Sequence, residues 1–324
     1  MNRSIIAVVA AFSLATLGGA LQGAPGAYKR PPSAGFSPRT PIGAPRGGQE
    51  ALPLLVTAEW LAPRLADPTI VVIDAGMSRH AFEREHIPGA RFIGHGEVLG
   101  ERDGVVHQLA QSDALVAVAE RAGISDRSRV VIYGGPQEAA RLFYTLEYLG
   151  LRGRVGILNG GLAAWRAAGH PVETGPETTP QGRVTRRPDG RVVADAAWVR
   201  DRLYRPGFAL LDARARSEYA GTERMGGTAR DGRIPGAVNL VWDDLLEYPT
   251  EGGYEAARYR DPTSLRRRFA EAGIAPGDTV ITYCQIGMRA SVVYFVGRLL
   301  GFETTMYDGS WMEWNGREDL PIER

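Results

Sequence analysis

The chain has 324 residues, 44% of them hydrophobic and 23% charged, which is too long for one ordinary core and suits two soluble domains. Its 38 Lys and Arg are balanced by 37 Asp and Glu, which argues against a nucleic-acid binder with its usual basic excess. A single cysteine rules out an internal disulfide and a cysteine-rich metal site.

Residues 1–24 read as a secretory signal peptide. Met1-Asn2-Arg3 gives a basic start, Ser4 to Leu21 carries no charge, and Gly18, Gly19, Ala20 and Gly23 make a small-residue zone fit for cleavage. The alternative is an uncleaved anchor, since about 18 apolar residues just span a bilayer. Cleavage predicts a periplasmic or secreted protein with no stable membrane contact. Residues 25–53, rich in Gly, Pro, Ala and Arg, cannot bury enough apolar surface to fold and are expected to be a flexible tether. Thr57 then caps a helix starting at Ala58. Strands are predicted at 70–74, 130–133 and 155–158, with a helix from Gln137 to Leu149 whose Leu142, Leu146 and Leu149 keep helical spacing. Residues 171–191, with several Pro, Gly and Thr, form a linker. Beyond it a helix is expected from Ala194 to Leu203, strands at 208–212 and 279–283, and a helix from about Arg289 to Leu300 stopped by Gly301. Short apolar strands alternating with helices give an α/β fold with mostly parallel sheets flanked by helices.

The chain repeats itself. Ile70-Val-Val-Ile-Asp74-Ala returns as Phe208-Ala-Leu-Leu-Asp212-Ala, and His86-Ile-Pro-Gly-Ala90 as Arg233-Ile-Pro-Gly-Ala237. Val130-Val-Ile-Tyr133 returns as Val280-Ile-Thr-Tyr283, and Asn159-Gly-Gly-Leu-Ala-Ala-Trp165 as Asp308-Gly-Ser-Trp-Met-Glu-Trp314. Four blocks in one order mark two homologous domains, 54–170 and 192–324. The separation lengthens between the first and second pairs, which places an insertion in the second copy around Thr222 to Gly232.

Cys284 directly follows the strand 279–283 and precedes a helix, joined to it by Gln285-Ile286-Gly287-Met288. Ligands of parallel α/β sheets bind beyond the carboxyl ends of the strands. A tight loop there turns backbone N–H groups inward as an anion nest at a helix N-terminus, and such a nest stabilises a thiolate or a persulfide anion. A cysteine at a strand end is otherwise often a small inert core residue. Gly287, which permits a tight turn, and Arg289, which offers a planar cation, favour the reactive reading. A cysteine phosphatase also closes a Cys loop with Arg, but its loop is one residue longer; the shorter cradle here suits a sulfur atom better than a phosphoryl group.

Cys284-Gln-Ile-Gly-Met-Arg289-Ala-Ser291, the Ile-Pro-Gly-Ala blocks and Tyr307-Asp-Gly-Ser-Trp-Met-Glu-Trp314 together resemble the tandem-domain rhodaneses over residues 55–322. The resemblance implies two homologous rhodanese-like domains, the first catalytically silent, which agrees with Gly134 standing where the second has Cys284. It implies a sulfurtransferase that moves a sulfane sulfur from a small anionic donor to a thiol or cyanide acceptor through a Cys284 persulfide. It implies donor binding by the loop 285–288, by Arg289 and by Arg214, and a structural role for Asp212. A sulfur-carrier or interaction module that does no catalysis is the alternative of a different class. Relatives preferring 3-mercaptopyruvate usually carry a Gly-Ser-Gly or Gly-Thr-Gly run after the cysteine. Gln285-Ile-Gly-Met and Arg289 therefore point to thiosulfate, with two guanidiniums, Arg289 and Arg214, expected to face it. Arg216 and Glu218 read as ordinary helix-start charges, His86 as a polar structural position, and Trp165 and Trp314 as core. Phe143 and Tyr144 read as either pocket wall or core. No metal and no cofactor is expected.

Overall fold

The computed structural model of the chain describes residues 52–178, 180–185 and 188–324. The expected signal peptide and nearly all of the tether lie outside the described residues.

The first domain contains strands β1 (Leu55–Val56), β2 (Ile70–Asp74), β3 (Arg91–Phe92), β4 (Leu99–Arg102), β5 (Val105–Leu109), β6 (Arg129–Tyr133) and β7 (Val155–Leu158). Its helices are α1 (Ala58–Leu61), α2 (Arg79–Arg84), α3 (Ser112–Arg121), α4 (Pro136–Leu146) and α5 (Gly161–Ala167). The second domain contains β8 (Val193–Ala194), β9 (Phe208–Asp212), β10 (Val238–Asn239), β11 (Leu246–Glu247), β12 (Arg258–Tyr259), β13 (Thr279–Tyr283) and β14 (Glu303–Tyr307). Its helices are α6 (Ala196–Arg200), α7 (Arg216–Ala220), α8 (Pro262–Glu271), α9 (Met288–Leu299) and α10 (Ser310–Gly316).

Each domain is built on one five-stranded parallel sheet, ordered β1-β7-β6-β2-β3 in the first and β8-β14-β13-β9-β10 in the second. Both central pairs, β2 with β6 and β9 with β13, are runs of apolar residues covered on both faces, as parallel strands require. Each copy also carries a small antiparallel hairpin, β4–β5 in the first and β11–β12 in the second. The duplication extends to single hydrogen bonds. Trp165 and Trp314 are both buried, and each indole N–H donates at 2.7 Å to a proline carbonyl, Pro171 and Pro321.

Local chemistry sets the helix limits. Thr57 Oγ1 accepts from the Trp60 amide at 3.2 Å, as a cap should. In the second copy Asp195 takes that role, accepting from Trp198 N–H at 2.7 Å. The helix expected from Ala194 therefore begins after the cap, and Val193–Ala194 instead joins the sheet beside β14. The helix expected to reach Leu149 loses α geometry after Leu146, and the wider turn that follows ends on Gly150 at φ +85°. His86 is a structural residue. Its ring stacks on Phe82 at 4.1 Å and its Nδ1 lies 2.9 Å from the Phe82 carbonyl. Among the described residues, no helix is long and apolar enough to cross a membrane.

The two domains share a core. Helices α4 and α9 pack against each other, with Phe143 edge-on to Phe295 at 4.9 Å and Tyr144 edge-on to Tyr294 at 5.2 Å. Phe143 and Tyr144 are thus core aromatics of the domain interface, fully buried. Glu147 is buried beneath them and accepts from Tyr294 Oη at 2.6 Å and from Arg298 Nε at 3.0 Å, which satisfies its charge.

Candidate active site

Cys284 occupies the first position after β13, and α9 starts four residues later. The side chain is fully buried at the carboxyl end of the sheet. The connecting loop is held from several sides. Cys284 N–H donates to Ser310 Oγ at 3.3 Å, and the Cys284 and Gln285 carbonyls accept from Trp311 and Met312 at 2.9 and 3.0 Å. The Ser291 hydroxyl donates back to the Gly287 carbonyl at 2.8 Å. These bonds fix the loop so that Gly287 N–H donates to Cys284 Sγ at 3.2 Å. Gly287 caps α9 at φ +86°, a conformation that favours glycine. The N–H groups of the first turn of α9 have no intrahelical acceptor, so the sulfur sits at the positive end of a helix.

Each arginine of the expected donor site is paired with a carboxylate, so neither is a free cation. Arg289 Nη1 and Nη2 donate to the two oxygens of Glu218 at 2.6 and 2.9 Å. Burial alone would lower the Arg289 pKa, but the Glu218 carboxylate outweighs it and raises it; Glu218 is held below its ordinary value despite its own burial. Glu218 is therefore a buried partner of the Cys loop and no ordinary helix-start charge, whereas Arg216 is exposed and pairs with Asp244. Arg214 is buried, bonded through Nε and Nη2 to Asp212 and through Nη2 to the Gly232 carbonyl at 2.9 Å. Asp212 also accepts from the Arg214 amide at 2.9 Å, the structural role expected of it.

Gln285 projects into a small cavity beside Arg214 and Trp311, and neither atom of its buried amide has a hydrogen-bond partner. The inserted segment 222–232 closes over this cavity through Met225, Thr228 and Arg230. It is pinned there by Arg230, whose guanidinium donates to the carbonyls of Trp314, Asn315, Arg317 and Leu320 at 2.6–3.0 Å.

The first domain reaches into this site through contacts between segments distant in the sequence. Arg141 of α4 is completely buried and donates from Nη1 to Asp308 Oδ1 at 2.9 Å and from Nη2 to the His107 carbonyl at 3.0 Å. Asp308 is also buried, and its second oxygen accepts from the Leu109 amide at 2.7 Å. Arg141 Nη1 lies so close to the loop that a Cβ on Gly287 would approach it to 2.8 Å. The β4–β5 hairpin thus reaches across to the Cys284 domain. His107 on it holds φ +64°, and the Nδ1 atoms of His107 and nearby His95 are buried without a partner. Burial, helped by the charges of Arg141 and His107, holds His95 below the usual histidine range. Among the described residues, no group of three or more His, Cys, Asp or Glu is gathered to hold a metal ion.

The arrangement has known parallels. The family model "Rhodanese-like domain" matches residues 57–168 and again 195–317. Over 276 residues the chain is 36% identical to a probable 3-mercaptopyruvate sulfurtransferase of Pseudomonas aeruginosa, covering 80% of this chain and 94% of that one. It is 32% identical to a thiosulfate sulfurtransferase of Corynebacterium glutamicum, covering 83% and 90%. The crystal structure of SseA from Escherichia coli, a 3-mercaptopyruvate sulfotransferase, superposes with a TM-score of 0.70 at 25% identity, covering 80% of this chain and 99% of that one.

Proposed function

The chain belongs to the rhodanese-like family and is one of its sulfurtransferases, and from that premise we propose that its donor is thiosulfate and that Cys284 carries the sulfur. The observation that supports this most directly is the Gly287 N–H aimed at Cys284 Sγ, 3.2 Å away, at the start of a twelve-residue helix. A donor set of backbone amides at a helix N-terminus stabilises an anionic sulfur without requiring a free side-chain cation.

In this reading the Cys284 thiolate attacks the sulfane sulfur of thiosulfate. The S–S bond breaks, sulfite leaves with the electron pair, and a Cys284 persulfide remains. The acceptor, cyanide or a thiolate, then attacks the outer sulfur, and the bonding pair returns to Cys284. The loop amides hold the terminal charge between the two steps. Arg289 and Glu218 act as a clamp on the first turn of α9. Arg289 orients the donor, while Glu218 offsets its charge so that sulfite can depart. Arg214, locked on Asp212, and Gln285 form the wall under the insertion, and Ile286 and Met288 complete the loop around the sulfur. Desolvation of the pocket strengthens each of these contacts.

Thiosulfate is favoured over 3-mercaptopyruvate because the loop after Cys284 is Gln-Ile-Gly-Met-Arg rather than a neutral run of small residues, and because its compact dianion suits a fully buried sulfur. The relative named for 3-mercaptopyruvate favours the second reading. Steady-state turnover of each donor with cyanide separates the two. Thiosulfate is expected to have the higher kcat/KM, and a higher value for 3-mercaptopyruvate would reverse the assignment.

A further inference from the structure

A cleft of about 1200 Å³ opens in the second domain, and none of its lining residues belongs to the Cys284 loop. It lies at the amino-terminal half of β9, beneath the turn that follows α6. Its floor is apolar, built from Val199, Leu203, Phe208, Leu210, Ile274 and Ile281. Its rim is rich in arginine: residues 202, 205, 233 and 324 line it beside Glu323. Glu323 is taken up by Arg233 and by the Gly236 amide.

At the same place in the first domain an arginine spans the edge of the sheet. In the sheet register Arg91 lies opposite Ile73 as Val238 lies opposite Leu211. Arg91 extends across the edge and donates to the Ala122 carbonyl at 3.0 Å. Ala122-Gly-Ile124 returns as Ala272-Gly-Ile274, which lines the open cleft. The second copy has a valine at that register position and the same Ala-Gly-Ile wall. The charge is changed as well. Asp67 of the first copy, bonded to Arg129 at 2.7 Å, stands two residues after Leu65; Arg205 stands two residues after Leu203. Among the described residues no ion pair takes up Arg205, which is exposed. Arg202 lies over the Trp198 ring at 3.7 Å, and its Nε is buried without a hydrogen-bond partner. Between them Tyr204 is held at φ +59° with nearly half of its surface exposed, its ring over Gly236. A bulky residue in the left-handed region marks strain, and strain gathers at ligand clamps.

We infer that this cleft is a second binding site, separate from the sulfur-transfer centre, for an amphipathic carboxylate: an apolar body on the floor and an anionic head among Arg202, Arg205 and Arg324. Its size suits a ligand of drug size or larger, and its few polar groups on an apolar lining match the usual make-up of such sites. The rim selects charge, because an arginine fork meets a carboxylate with two hydrogen bonds while a cationic head of equal length meets only repulsion.

Isothermal titration of the full chain with decanoate, below its micelle concentration, tests this against decyltrimethylammonium as the cationic counterpart. One equivalent of decanoate is expected to bind, about tenfold or more tighter than the cation, as loss of a charge-assisted contact implies. Val238→Arg, which places the first copy's arginine across the cleft, is expected to abolish binding. Arg205→Glu, on the surface, is expected to weaken it about tenfold or more. Both variants should keep wild-type thiosulfate:cyanide turnover, which certifies their fold independently of the cleft. The assignment is overturned if decanoate does not saturate one site, if the cation binds equally well, or if Arg205→Glu leaves decanoate binding unchanged.

Discussion

The two copies place the same carboxylate at the same strand end and give it opposite fates. Asp212 closes β9 and holds Arg214 through paired hydrogen bonds. Asp74 closes β2, but Gly76 stands where Arg214 would be, so no guanidinium compensates it. Burial then pushes Asp74 up to about 7, against the smaller opposing effect of its bond to Tyr133. The loops that follow the central strands diverge in parallel. In the second copy the loop cradles a sulfur. In the first, Gly134 and Gly135 leave a space that the other domain fills. Tyr254 lies so near that a Cβ on Gly135 would meet its ring at 2.5 Å, and its hydroxyl accepts from the Gln137 amide and donates to Glu138. Each domain thus sends an arm toward its partner's strand ends: β4–β5 runs to the Cys284 loop, and the segment before β12 lies against the loop after β6. A duplicated fold can keep one pocket by filling the other.

The strongest break of that comparison is at Arg141, the cation that the first copy lends to the second. Arg141→Met leaves Asp308 charged and buried, and it should cost about 3–5 kcal/mol in urea denaturation with a matching fall in turnover. Arg141→Met with Asp308→Leu should recover much of that stability, because no charge is left stranded; a double variant as weak as the single one would show that packing, and not charge, dominates there.

The Arg289–Glu218 clamp is next. Arg289→Ala should raise the KM for thiosulfate about tenfold or more and cost about 2 kcal/mol of stability by leaving Glu218 unpaired. Adding Glu218→Ala should return the stability but not the KM. If both recover together, Arg289 serves the fold alone.

Asp74 gives a pH test. Its folded pKa lies above the unfolded 3.8, so the protonated form is favoured in the folded state. The contribution is present in full below pH 4 and is lost as the pH rises through 7. Asp74→Asn should flatten the stability profile between pH 4 and 7 and exceed wild type above pH 8, by about 2–4 kcal/mol. A wild-type-like slope in the Asn variant would place the titration elsewhere. The smallest change is Tyr254→Phe, which removes the hydroxyl contacts to Gln137 and Glu138. It should cost about 1 kcal/mol and leave sulfur transfer unaltered.

The elements that carry their own chemistry were legible in the sequence. The β-branched runs at 70–74, 130–133 and 279–283 could only be buried strands, and the repeated blocks marked the duplication. The place of Cys284 between a strand and a helix was legible through Gly287. What escaped depends on contact between distant segments. Leu55–Val56, Arg91–Phe92 and Val238–Asn239 are two-residue strands that exist only through pairing. Arg141 looks like a polar break in an apolar helix until α4 is laid on α9. Glu218 looks like a helix-start charge until α7 is brought to the first turn of α9. The signal for Arg141 was a charged residue inside the apolar run Ala139-Ala-Arg-Leu-Phe143, which a helix buried on all sides tolerates only with a partner.

The sulfur in transit is expected on Cys284 and on nothing in the first copy. Mass spectrometry of the intact protein after incubation with thiosulfate, followed by peptide mapping, tests it most directly. A species heavier by one sulfur atom is expected, located on the Cys284 peptide, discharged by cyanide and absent from Cys284→Ser, which should fold as wild type does but transfer no sulfur. A Cys284→Ser variant that still turned over thiosulfate, or a sulfur adduct on residues 54–170, would contradict it.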